Sequence, residues 1–101
     1  MHLYYTYILT NKAKTVLYTG VTNNLEVRLM QHREHAAFGK SSFTGQYNCY
    51  YLLYSESFQN IRDAITREKE IKGWTRQKKI DLIKRLNPKM DFLNEYIPES
   101  L

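Results

Sequence analysis

Residues 3–21 hold two runs rich in tyrosine and β-branched residues, "LYYTYILT" and "TVLYTGV", separated by only the four residues "NKAK". Such runs favour extended backbone, and so short a polar break between them leaves room for a hairpin and little else. The first pairing in this chain is therefore expected to be antiparallel. With Thr10 set opposite Thr15, Tyr7 falls opposite Tyr18 and Tyr5 opposite Gly20. Alternate residues of a strand share a face, so these four stand together on one side of the sheet. Two phenol hydroxyls then lie beside the gap that a glycine leaves. A cross-strand aromatic pair in the core is the plainer alternative.

The remaining elements follow from caps and breakers. Residues 24–36 read as a helix capped by Asn23 or Asn24, and 37–46, with Gly39 and Gly45, as a loop. Residues 48–55, "NCYYLLYS", read as a third strand. A second helix spans 61–72, with Asn60 as cap and Gly73 as stop, and a third spans 76–86, capped by Thr75 and ended before Pro88. The tail carries Phe92, Leu93, Tyr96 and Ile97 and is expected to pack back as a short helix or ordered coil. The order β-β-α-β-α-α describes an α/β chain of the α+β kind, a small sheet with helices against its faces. Where the third strand joins is left open.

With 101 residues, residues 1–101 are expected to form a single domain. The lone cysteine, Cys49, excludes an internal disulfide or a multi-cysteine zinc site and fits a reducing compartment. No apolar stretch approaches about 18 residues, and the N-terminus lacks a basic lead, so a soluble cytoplasmic protein without a membrane partner is expected. The net charge is +5, and its distribution is uneven: residues 62–85 carry nine Lys/Arg against four acids. A basic block of this kind marks either a polyanion partner or a solvated helix face.

Helical spacing picks out three residues. On the first helix Leu25, Leu29 and Ala36 form the apolar stripe, His32 lies within it and Arg28 borders it. A guanidinium there must meet an acid, a phosphate or water. On the second helix Glu68 falls near the middle of a stripe made by Ile61, Ala64, Ile65 and Ile71. A carboxylate on a buried face needs a cation. That cation is a metal, Arg28, or Lys72 if the side chain slides to the stripe's edge. Together these residues supply what phosphodiester hydrolysis requires: a base, a cation for the developing charge, and a carboxylate suited to a divalent ion.

"YTYILTN" at 5–11 followed by "LYTGVTNNLEVRLMQH" at 17–32 resembles the GIY-YIG endonuclease superfamily, and most of all its small stand-alone bacterial members. "YTY" stands in the place of the GIY triplet and "YTG" in that of YIG. "REKEIKGWTRQKKIDLIKRLNP" at 67–88 is similar to the later half of the same family, so the resemblance runs from about residue 3 to residue 88. It implies a three-stranded antiparallel sheet flanked by helices. It implies Tyr7 as the phenol that activates water or positions the nucleophile, with Tyr18 as its partner at the scissile phosphate. Gly20 would leave the space between them, with Tyr5 as a structural neighbour. Arg28 would stabilise phosphate charge, His32 would assist proton transfer, Glu68 would hold one Mg²⁺ or Mn²⁺, and Asn87 would support the site.

Departures from the family pattern are Tyr5 and Thr6 for its Gly-Ile, Met90 where tryptophan is common, and "GQ" at 45–46 in place of lysines. The resemblance implies a metal-dependent DNA endonuclease with little sequence preference, acting on branched, nicked or single-stranded DNA in repair or recombination, with RNA left open. A rival reading is a binding module without cleavage. In it the tyrosine face stacks bases, and Lys69, Lys72, Arg76, Lys78 and Lys79 of the basic block track phosphates.

Overall fold

A computed structural model describes residues 2–38 and 47–96. The strands are β1 (Tyr4–Thr10), β2 (Leu17–Thr22) and β3 (Tyr51–Phe58); the helices are α1 (Leu25–Phe38), α2 (Ile61–Lys72) and α3 (Arg76–Leu86), followed by a 3₁₀ turn at Asn94–Tyr96. The sheet order is β2-β1-β3, and β1 pairs antiparallel with both neighbours. The third strand thus joins the free edge of β1. The expected β-β-α-β-α-α order and three-stranded antiparallel sheet are what the chain forms. The two lysine-replacing positions, 45–46, lie outside the described residues, as does Ile97.

The hairpin differs from the sequence reading by two residues. Thr10 pairs with Leu17 rather than Thr15, so Tyr7 stands opposite Gly20 and Leu9 opposite Tyr18. The cause is Asn11. Its side-chain oxygen accepts from the Thr15 and Val16 amides at 2.8 and 3.2 Å, and its amide donates to Thr15 Oγ1 at 2.7 Å. Those bonds draw residues 15 and 16 into a longer turn, with Lys14 in the left-handed region at φ 59°. An even slip preserves the face of every side chain. Tyr5, Tyr7, Tyr18 and Gly20 therefore remain on one side.

The third strand starts at Tyr51, three residues later than the hydropathy suggests, because Asn48 adopts φ 56° and breaks the extended run. It continues through Glu56, which pairs with Thr6 and accepts a hydrogen bond from Tyr54 at 2.6 Å. A register shift between Ile8 and Leu9 splits β3 between the layers: Leu52 joins one core and Leu53 and Tyr54 the other.

Side chains of β1 alternate between the two cores. Tyr7 and Leu9 pack with Leu25, Leu29, Cys49 and Leu52 on the α1 side. Ile8 packs with Leu53, Tyr54, Ile71, Leu82 and Ile83 on the side of α2 and α3. Asn24 caps α1 by accepting from the Val27 amide at 3.1 Å. Asn60 and Thr75 cap α2 and α3 as their positions predict. Phe92 and Leu93 of the tail pack on the two cores.

On α2 only part of the expected stripe is buried. Ala64 and Ile71 are fully covered, whereas Ile61 and Ile65 are 40% and 39% exposed. The small Ala64 lets the helix backbone approach β1 closely, and Thr6 Oγ1 donates to the Ala64 carbonyl at 2.7 Å. That contact sets the roll of the helix. It also turns Glu68 to the boundary of the buried surface, with 19% of its side chain exposed.

Candidate active site

Tyr7 is buried because β1 is the central strand and its odd residues point under α1. The same helix brings down His32, one turn beyond Arg28. Tyr7 and His32 are each only 1% exposed. The Tyr7 hydroxyl and His32 Nε2 lie 2.9 Å apart, a hydrogen bond between two side chains 25 positions apart in sequence. A phenol and an imidazole removed from water need such a partner, and here each supplies the other's. The Tyr18 ring completes the group, with its centroid 5.5 Å from that of His32 and 6.5 Å from that of Tyr7.

Gly20 stands directly opposite Tyr7. A Cβ at this position would lie 2.5 Å from the Tyr7 hydroxyl oxygen, 2.6 Å from its Cζ and 3.1 Å from Tyr18 Cε1. Glycine is needed here for space rather than for backbone freedom. Without a side chain at this position, β2 leaves room for the phenol to lie against it.

Arg28 borders the same group. Partial burial works against its charge, but hydrogen bonding to Tyr7 and the Tyr7 and Tyr18 oxygens outweigh this and hold the guanidinium above its usual range. Its Nη1 also donates to Gln31 Oε1 at 3.0 Å. Gln31 escaped the sequence reading; its signal is the three-residue spacing that makes helix neighbours. Burial pushes the Tyr7 phenol up to about 12. The Arg28 hydrogen bond pulls it down, and the charges of Tyr18 and Glu68 add to the rise. Tyr7 therefore carries its proton near neutral pH.

Glu68 arrives from the opposite layer, on α2, which packs across β1 and β2. It takes the third of its expected partners, with Lys72 Nζ 3.4 Å from its Oε2. That lysine is 52% exposed, so the pair is a weak one. Among the described residues no three His, Cys, Asp or Glu side chains cluster into a ready-made metal cage. One carboxylate at a wet boundary, beside an exposed and displaceable cation, is a donor set suited to Mg²⁺ or Mn²⁺ completed by water and phosphate oxygens.

Two groups of candidates are placed elsewhere. Asn87 does not join the phenols. Its amide donates to the carbonyls of Leu53 and Asp91 at 3.0 and 2.9 Å, and its oxygen accepts from the Asp91 amide at 3.0 Å. It braces the end of α3 against β3. The basic block also divides. Arg76 is committed to the hairpin, donating to the Lys14 and Thr15 carbonyls at 2.8 and 3.0 Å. Lys78 lies over the Trp74 ring at 4.4 Å, Lys72 pairs with Glu68, Lys69 is exposed and Lys79 is half-buried. Tyr5 packs at the margin of the α1-side core.

A buried phenol on an imidazole, with a guanidinium beside them, can move a proton and hold an anion. Those are the two demands of phosphoester chemistry. The fold and site thus define a small α+β domain with the layout of a catalytic domain. The match to the GIY-YIG catalytic domain, over residues 3–81, makes the assignment specific, and the chain belongs to this nuclease family. It is 42% identical over 79 residues to a UPF0213 protein of Clostridium perfringens, covering 78% of this chain and 81% of the relative. It is 34% identical over 96 residues to a UPF0213 protein of Bacillus pumilus, covering 94% and 93% of the two chains. The solution NMR structure of a UPF0213 protein from Bacillus halodurans superposes with a TM-score of 0.53 at 27% identity, covering 86% of this chain and 88% of that one. Among the described residues no helix is long and apolar enough to cross a membrane.

Proposed function

We propose that this domain is a metal-dependent DNA endonuclease with little sequence preference, acting on branched or single-stranded DNA during repair or recombination. The observation that carries the reading is the 2.9 Å contact between the buried Tyr7 hydroxyl and His32 Nε2, with the phenol seated over Gly20.

A phenol held at about 12 offers almost no phenolate near neutral pH. It acts instead as a relay. Tyr7 takes a proton from the attacking water as it passes its own to His32 Nε2, leaving the phenol neutral and the imidazole protonated. The hydroxide so formed attacks phosphorus, and Arg28 stabilises the negative charge that gathers on the phosphoryl oxygens. Tyr18 orients the phosphate beside the phenol. Glu68 would hold the divalent ion, which supplies Lewis-acid stabilisation of the leaving oxygen.

The binding-module reading loses its platform at Tyr7. That ring is 1% exposed and offers no face to a base.

The test is cleavage of supercoiled plasmid, single strands, forks and four-way junctions with Mg²⁺ or Mn²⁺ and with chelator. Removing one general acid–base group costs about 10²–10⁴ in rate. Tyr7→Phe and Glu68→Ala are each expected to lose activity on that scale, with chelator abolishing cutting by the native protein. Native-level cutting by both variants, or cutting indifferent to chelator, would sink the proposal.

A further inference from the structure

On the other flank of α1 lies a cleft of about 550 Å³ that the phenol site does not use. Pockets of this size suit a small ligand. One wall is a continuous aromatic stack. The Tyr50 and Tyr51 ring centroids are 4.6 Å apart, and Tyr51 lies on Phe92 at 4.2 Å with an interplanar angle of 23°. A cation lies over each outer ring of the stack: Arg33, which lines the cleft, over Tyr50 at 6.0 Å, and Lys14, outside the cleft, over Phe92 at 5.1 Å. Among the described residues, neither cation is ion-paired with a carboxylate.

The wall is held in place before any ligand arrives. Asn94 accepts from the Leu52 amide at 2.9 Å and donates to the Tyr50 carbonyl at 2.9 Å. These bonds fix the segment around Asn94 against the start of β3. Glu95 also lines the cleft. As an acceptor it repels a phosphate there and welcomes the N–H edge of a base.

We propose that this cleft is a stacking subsite for an unpaired nucleobase, received on the outer face of Tyr50, from which the exposed Arg33 swings to the adjoining phosphate. Aromatic faces flanked by cations are the equipment of single-strand recognition, because every base has a face to stack. The site is near the chemistry. Leu29 lines the cleft and also packs in the core with Tyr7. Arg28 and Arg33 point about 140° apart around α1 and lie about 7.5 Å apart along it. One strand can thus stack a base on Tyr50, just before β3, and pass a neighbouring phosphate toward Arg28 beside the phenols. This inference rests on the nuclease reading and adds to it the feature that selects the substrate: an unpaired nucleotide beside the cut.

The experiment measures binding of a short single strand carrying 2-aminopurine, and of a blunt duplex of the same sequence, in chelator so that nothing is cut. Tyr50→Ala is expected to weaken single-strand binding about 5- to 150-fold and to abolish the quenching of 2-aminopurine that stacking produces. Tyr50→Phe keeps both. Arg33→Glu, at an exposed position that leaves folding intact, weakens the single strand as well. Duplex affinity stays unchanged in all three. Tyr50→Ala and Arg33→Glu proteins that bind the single strand like the native protein overturn the proposal. So does an equal loss on strand and duplex. If the native protein still cuts DNA in metal while these variants match it on every substrate, the cleft alone is refuted and the nuclease reading stands. If the native protein neither binds nor cuts, both fall.

Discussion

Under α2 and α3 the sheet buries Ile8, Leu53, Ile71, Leu82 and Ile83 around Tyr54. Under α1 it buries Tyr7 and His32 alongside Leu9, Leu25 and Leu52. The first layer is held by burial of apolar surface, which is indifferent to direction. The second also carries a phenol and an imidazole, whose removal from water is offset by directional contacts, their mutual hydrogen bond among them. A core of the first kind tolerates small shifts, and one of the second kind does not. Both faces of the sheet thus contribute a core, but the candidate chemistry lies on one of them alone.

Three substitutions test that division. Ile83→Ala opens a cavity in the apolar layer and is expected to cost about 2–5 kcal/mol of stability, with cleavage per folded molecule unchanged. Chemical unfolding alongside an activity titration reads both; lost activity in the folded fraction would erase the distinction between the faces.

The second concerns alkaline pH. Tyr7 is held at about 12 by burial, against its ordinary 10.0. Above pH 10 the unfolded chain gives up this proton while the folded chain keeps it, so stability falls until pH reaches about 12. At about 1.4 kcal/mol per unit, the loss from this one group is about 2–3 kcal/mol. Cys49, also raised by burial to about 11, adds to the fall in any variant. Tyr7→Phe should flatten its own share of the decline; superimposable pH profiles for variant and native protein would show that the phenol is not held neutral.

The smallest change in stability should do disproportionate harm to function. Gly20→Ala places a methyl 2.5 Å from the Tyr7 hydroxyl. Overpacking of this kind costs about 1–3 kcal/mol, but it displaces the phenol from His32, so cleavage should fall about as far as in Tyr7→Phe. A folded Gly20→Ala protein with full activity would mean that the contact at 2.9 Å is not needed.

Much of this arrangement is legible in the sequence, for reasons that vary by residue. Alternation along a strand is so rigid that a hairpin register wrong by two still placed Tyr5, Tyr7, Tyr18 and Gly20 on one face. Helical spacing put Arg28 and His32 beside that face. It failed in part for Glu68, because a helical wheel says which residues share a side and not which part of that side meets the sheet. The close approach of Ala64 to Thr6 decides that, and it is a contact across 58 positions. The cleft was less visible still. Tyr50, Tyr51 and Phe92 come together only because the segment 92–94 folds back onto β3. Asn11 and Arg76 mislead in the same way: an ordinary turn residue and an ordinary basic residue acquire fixed partners only in the folded hairpin.

Asn94 has one more consequence. β3 is an outer strand, and outer strands expose a row of amides and carbonyls on which another chain can build. Here a side-chain amide imitates a neighbouring peptide group, taking the Leu52 amide and the Tyr50 carbonyl, while the Leu93 amide takes the Leu52 carbonyl at 2.8 Å. Along this stretch the sheet ends in a capped margin rather than an open one. The segment that shapes the cleft thereby also guards the protein against growing, strand by strand, into an aggregate.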